Sequence, residues 1–91
     1  VTDDLTALPN IGTILARKLR QAGIESYEDL AELGSIEAYL RTWDHEDVIG
    51  YNMLYALEGA IERVRWHNLS AEHRASVKAG LLAALESKHH T

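Results

Sequence analysis

Apolar positions recur at helical spacing along most of the chain, and the cleanest period lies between residues 51 and 65. There Met53, Leu54, Leu57, Ile61 and Val64 fall on one face, while Tyr51, Tyr55, Glu58, Gly59 and Glu62 fall on the other. That is the spacing of an amphipathic helix, and the second face is apolar enough to predict a helix sandwiched between neighbours. Gly59 costs ~1 kcal/mol relative to alanine in a helix interior, so it predicts a close packing contact on that second face. Upstream, Ile36, Tyr39, Leu40 and Trp43 stand at i, i+3, i+4, i+7 and predict a helix over about 36–43 with Ser35 as its cap. Downstream, Ser70 is a good N-cap with Glu72 in the first turn. It opens a last helix to about Glu86 with Val77, Leu81, Ala84 and Leu85 inward. Lys88-His89-His90-Thr91 is expected to fray.

Two shorter helices precede these. Ile11, Leu15, Leu19 and Ala22 share a side of a helix over about 12–22, with Ala16 at its edge, whereas Ile14 lies on the opposite side among Arg17, Lys18 and Gln21. Gly23 stands where a helix C′ residue belongs. Ser26, followed by Glu28 and Asp29, marks the start of a helix over 27–33 that stops at Gly34. Val1 to Thr6 is polar apart from Leu5 and reads as an extended lead-in or one helical turn. Asp44-His45-Glu46-Asp47 is a charged break, and Trp66-His67-Asn68-Leu69 is a turn. No segment alternates with period two. The expected architecture is therefore all-α, a compact bundle of about five short helices in a single domain over 1–91 with its core at about 8–86.

The entry into the first helix carries the strongest local signal. Leu8-Pro9-Asn10-Ile11-Gly12 places a proline-led bend directly before an amphipathic run. Proline fixes its own φ and pushes Leu8 out of the helical region, while asparagine and glycine tolerate left-handed or close-approach backbone. This is the grammar of a helix-hairpin-helix, in which N–H groups at a helix start can meet a phosphate.

At 91 residues, 46% of them apolar, the chain can bury one modest core. It has no cysteine, hence no disulfide framework and no thiolate metal site, which fits a reducing compartment. No apolar run approaches the ~20 residues needed to span a bilayer, and a cytoplasmic location follows as the expectation. The net charge of −5 is uneven: residues 1–47 hold four Lys/Arg against ten Asp/Glu, a balance of −6, and residues 48–91 hold five against four. The hairpin therefore sits in the acidic half, where phosphate attraction would have to be local.

Candidate chemistry is sparse. The hairpin offers Asn10, Gly12, Thr13, Ile14, Arg17 and Lys18, with Arg20 nearby, as contacts for a phosphate or a protein partner, set against a purely structural turn. Tyr51 and Tyr55 form a second strip that could receive another protomer or be covered by the last helix. A basic concavity around the hairpin would favour nucleic acid; an exposed apolar patch beside Ile14 would favour protein. Trp43 and Trp66 read as anchors of helix ends. Neither the 44–47 charge cluster nor His67 with His73 has recognised ligand spacing, so no metal and no cofactor is expected. No nucleophile unit, phosphate-cradling loop or convergence of acids is visible. Glu58 is the acid singled out, since it lies on the second face of a central helix; if buried it needs hydrogen-bond partners, and its expected role is to cap or bridge backbone groups of a neighbouring turn.

The whole pattern resembles the C-terminal domain of the TfoX/Sxy family of bacterial competence regulators. The likeness is carried by Leu8-Pro9-Asn10-Ile11-Gly12, Ala22-Gly23-Ile24 with Glu28-Asp29-Leu30, and Leu33-Gly34-Ser35-Ile36-Glu37-Ala38-Tyr39-Leu40. It continues through Asn52-Met53-Leu54-Tyr55-Ala56-Leu57-Glu58-Gly59-Ala60 and Trp66-His67-Asn68-Leu69, spanning about residues 8–85. The resemblance implies a helical fold related to helix-hairpin-helix modules and a role in regulation rather than catalysis. Family members often carry a separate N-terminal domain, for which this chain has no room, so it is expected to be a stand-alone version or an excised piece. Such domains frequently have proline and a basic residue after the hairpin glycine, where this chain has Thr13 and Ile14. The expectation is a non-enzymatic module acting through protein contacts, monomeric or weakly dimeric, with phosphate-backbone DNA binding through residues 10–14 as the alternative.

Overall fold

The computed structural model describes residues 5–43 and 50–89. Among these, the secondary structure is entirely helical: α1 (Thr13–Gln21), α2 (Tyr27–Leu33), α3 (Ser35–Thr42), α4 (Tyr51–Glu62), a 3-10 turn (Trp66–Asn68) and α5 (Ala71–His89). The charged break at 44–47, Val1 to Asp4 and the terminal His90-Thr91 lie outside the described residues. The lead-in at 5–12 forms successive turns, with the Leu8 N–H donating to the Leu5 carbonyl at 3.1 Å, and it buries Leu5 completely.

α3 and α4 are the centre of the packing. α4 lies against α2, α3, α5 and the 3-10 turn, α3 also takes α2 and α5, and α1 packs on α3. The common core holds Leu8, Ile11, Ala16, Leu19, Ile24, Leu30, Ala38, Tyr39, Leu54, Leu57, Ala60 and Leu81 among others. Burying a side chain such as Leu19 or Leu54 stabilises the fold by roughly 1.5–3 kcal/mol each. The inward face of α5 is the expected one, with Val77 and Leu81 buried and Ala84 and Leu85 packed beside them. α5 continues three residues beyond the anticipated Glu86.

Local cap chemistry accounts for most boundaries. The Ser26 hydroxyl accepts from the Asp29 N–H, and the Ser70 hydroxyl accepts from the His73 N–H. Gly23 closes α1 with φ +88°, a left-handed conformation that side chains resist. Ser35 departs from expectation. Gly34, at φ +85°, occupies the N-cap position, Ser35 is the first residue inside α3, and its buried hydroxyl donates to Glu58 Oε1 at 2.7 Å. α4 also ends earlier than its apolar period suggests. Arg63 turns left-handed at φ +61°, so Val64 leaves the face it would have shared with Ile61 and is 37% exposed. In α1 the buried stripe centres on Ala16 and Leu19, and Leu15 moves to its rim.

Candidate functional site

Among the described residues only turns, and no helix, precede the bend at 8–12, so the first helix of the expected helix-hairpin-helix is not formed; the bend, still called the hairpin, divides into an inward and an outward part. Asn10 adopts φ +70°, and its amide reaches across to the end of α4. Nδ2 donates to the Val64 carbonyl at 2.9 Å and to the Ala56 carbonyl at 3.3 Å, while Oδ1 accepts from the Trp66 N–H at 3.1 Å. The glycine in α4 is there to admit this side chain. A Cβ on Gly59 would stand 2.6 Å from Asn10 Nδ2, 2.8 Å from the Val64 oxygen and 3.1 Å from Trp66 Cα. Asn10 therefore spends its polar atoms on the Val64 carbonyl and the Trp66 N–H, which lie between α4 and the 3-10 turn, and adds a longer bond to the Ala56 carbonyl inside α4, which holds the bend onto the rest of the bundle.

The remainder of the hairpin faces outward. Gly12 is the N-cap of α1 and has no side chain with which to cap it. Thr13, Ile14, Arg17, Lys18 and Arg20 are exposed, and Ile14 reaches 72%. Beside Ile14 lies an open depression of about 520 Å³, lined by Gly12, Thr13, Ile14, Leu15, Lys18 and Met53. Its floor is apolar because Leu15 and Met53 come together there from α1 and α4. Lys18 is the one charge on its rim, and among the described residues no carboxylate pairs with Arg17 or Lys18.

The second strip is largely covered. Lys78 of α5 lies 4.6 Å above the Tyr51 ring, and Tyr55 packs on Trp66 with centroids 5.8 Å apart. A smaller hollow of about 300 Å³ remains between Tyr55 and Ala71, Arg74, Ala75 and Lys78. Trp66 also stacks on His67 at 4.0 Å and Trp43 on Tyr39 at 6.0 Å, each at the edge of a helical element as anticipated.

Glu58 behaves differently from expectation. It bridges side chains instead of backbone groups: Oε1 takes the Ser35 hydroxyl from α3, and Oε2 lies 2.7 Å from His73 Nε2 of α5. With the carboxylate ionised, that nitrogen is the donor. Glu62, one turn along α4, brings a second carboxylate to the same place, so that one ligand atom from each of Glu58, Glu62 and His73 lies within 4.8 Å of the others. Residue spacing does not reveal this group, because it depends on α5 running alongside α4, whereas spacing alone pairs His73 with nearby His67. No helix among the described residues is long and apolar enough to cross a membrane.

A family model described as the TfoX C-terminal domain matches residues 1–81. No curated protein matches the chain. Among solved structures, a triclinic crystal form of an uncharacterized protein from Listeria monocytogenes is 42% identical with a TM-score of 0.75, over 81% of this chain and 84% of that one. A tetragonal form of a Listeria monocytogenes protein of unknown function is 41% identical with a TM-score of 0.75, over 82% of this chain and 93% of that one.

Proposed function

Because the chain belongs to the TfoX C-terminal domain family, we propose that it is a non-catalytic regulatory module that works by docking a protein partner on the outward side of its hairpin. The observation that carries the proposal is Ile14, 72% exposed at the edge of an apolar depression of about 520 Å³. Isolated surface isoleucines are ordinary, but one that adjoins a concave surface made by Leu15 and Met53 offers a partner a contiguous apolar seat. A protein side chain entering it would bury Ile14 and gain on the order of 1.5–3 kcal/mol from that residue alone, with Lys18 on the rim to orient an acidic group.

The same surface argues against phosphate recognition as its principal task. The residue two beyond the hairpin glycine is apolar, and the N-terminal half of the chain is strongly acidic. Backbone N–H groups at the start of α1, with Arg17 and Lys18 one turn on, nevertheless form the arrangement that a nucleic-acid contact would use. Two measurements separate the readings. A photo-crosslinking residue in place of Thr13, in cells, is expected to give a discrete protein adduct that Ile14→Asp abolishes while the fold, followed by circular dichroism, is unchanged. Fluorescence anisotropy with random duplex DNA at low salt is expected to show no binding. Binding that weakens with salt at a slope of about −0.9 per phosphate neutralised, and that is lost in the Arg17→Ala/Lys18→Ala variant but kept in Ile14→Asp, would overturn the proposal in favour of DNA.

A further inference from the structure

Away from the hairpin, three ligating side chains meet between α4 and α5. We propose that Glu58, Glu62 and His73 form a binding site for a divalent first-row transition metal of the zinc type, with the remaining coordination positions open to water. Their ligand atoms already lie within 4.8 Å of one another, and the Glu58–His73 pair is at 2.7 Å. A tetrahedral zinc with bonds near 2.0–2.1 Å needs its ligand atoms roughly 3.3 Å apart, so adjustments of side-chain torsions alone bring all three onto one ion.

The electrostatics of the cluster call for a cation. Glu58 and Glu62 are one turn apart on the same helix, an arrangement that repels, and Glu62 makes no ion pair or hydrogen bond among the described residues. Two carboxylates and a neutral imidazole carry a charge of −2, which a divalent ion balances. Ligation uses the Nε2 lone pair, so the single proton of the neutral His73 ring moves from Nε2 to Nδ1 when the ion binds, and the ring stays uncharged. One nitrogen and two oxygens, with no thiolate, suit zinc or its first-row neighbours better than calcium or magnesium, which favour all-oxygen shells.

The supports are in place as well. The buried Ser35 hydroxyl fixes Glu58 Oε1, leaving Oε2 beside His73 Nε2, in the manner of the outer-shell bonds that orient metal ligands. The Ser70 cap fixes the backbone of His73. Asn10, seated on Gly59, pins the stretch of α4 between the two glutamates.

The test is a titration of the chelator-stripped full chain with Zn2+ by calorimetry, and with Co2+ by visible absorption. Glu62→Gln, His73→Gln and a His89→Ala/His90→Ala control are titrated in parallel, the last because terminal histidines bind metal adventitiously. One ion per chain is expected, with affinity reduced at least about tenfold by Glu62→Gln, abolished by His73→Gln and unchanged in the control. In the unmodified chain, Zn2+ should shift the His73 ring resonances and raise the thermal midpoint, and it should do neither in Glu62→Gln. Glu62 is exposed, so that variant keeps its fold. Affinity unchanged by both substitutions, binding lost only in the terminal control, or no binding at millimolar metal would each overturn the proposal.

Discussion

Replacing Gly59 by alanine tests whether the Asn10 contact is what dictates glycine in α4. In an ordinary helix interior the change stabilises by ~1 kcal/mol through backbone entropy. Here the new Cβ would lie 2.6 Å from Asn10 Nδ2 and 2.8 Å from the Val64 carbonyl, distances no real Cβ tolerates. The Asn10 amide has to withdraw, and with it go bonds to Val64, Ala56 and Trp66 worth about 1 kcal/mol each. The Val64 oxygen belongs to the backbone, so the end of α4 has to move too, at a cost of about 1 kcal/mol or more. The balance is a loss of about 3 kcal/mol, which lowers the thermal midpoint of a chain this size by roughly 12–24 °C.

Gly80 in α5 supplies the internal comparison. A Cβ there meets only the Ile36 side chain, Cδ1 at 2.6 Å and Cγ1 at 3.9 Å, and the end of a flexible side chain can rotate away for about 0.5–1.5 kcal/mol. Gly80→Ala is therefore expected within about 0.5 kcal/mol of neutral once the helix-propensity gain is included. Equilibrium urea unfolding of both variants, with Asn10→Gly and the Asn10→Gly/Gly59→Ala double variant, completes the test. Asn10→Gly keeps the left-handed backbone available while removing the amide. The cost of Gly59→Ala should fall by at least about 1 kcal/mol in that background, the coupling expected of residues in contact. A Gly59→Ala protein as stable as the parent, or a double variant whose losses simply add, would refute the reasoning.

Four further substitutions probe the packing around this centre. Tyr27→Phe removes the bond from the Tyr27 hydroxyl to the Ile61 carbonyl at 2.7 Å while leaving the Arg63 guanidinium 4.2 Å above the ring, and should cost about 1 kcal/mol in urea unfolding. Leu5→Ala empties a fully buried position in the lead-in and should cost about 2–4 kcal/mol; a neutral result would show that residues 5–12 are not part of the folding unit. Ser26→Ala and Ser35→Ala separate a helix cap from a side-chain bridge. The first should lower stability by about 1 kcal/mol, and calorimetry should show that only the second weakens metal binding through Glu58.

The elements were legible because each depends on a tolerant, local regularity. An apolar face works if several side chains point roughly the same way, so the periods at 36–43 and 71–86 produced α3 and α5 with little ambiguity, and the outward direction of Ile14 was correct. Val64 shows where that tolerance misleads. The period continues past Glu62, but a left-handed Arg63 redirects the chain, and no residue type nearby announced it. Polar partnerships are less forgiving, because a hydrogen bond exists only within a few tenths of an ångström of its ideal length. Gly59 could be recognised as anomalous from helix propensity alone, yet the atom that fills its space comes from Asn10, near the other end of the sequence. Ser35 looked like a cap because serine before an apolar run usually is one; Gly34 took the cap position and released the hydroxyl to Glu58. His73 likewise acquired its carboxylates only through the packing of α5 along α4. The candidate sites therefore differ in kind. The hairpin surface follows from the direction of one helix and could be read from the spacing of its residues, whereas the Glu58–Glu62–His73 group exists only once α5 has packed along α4.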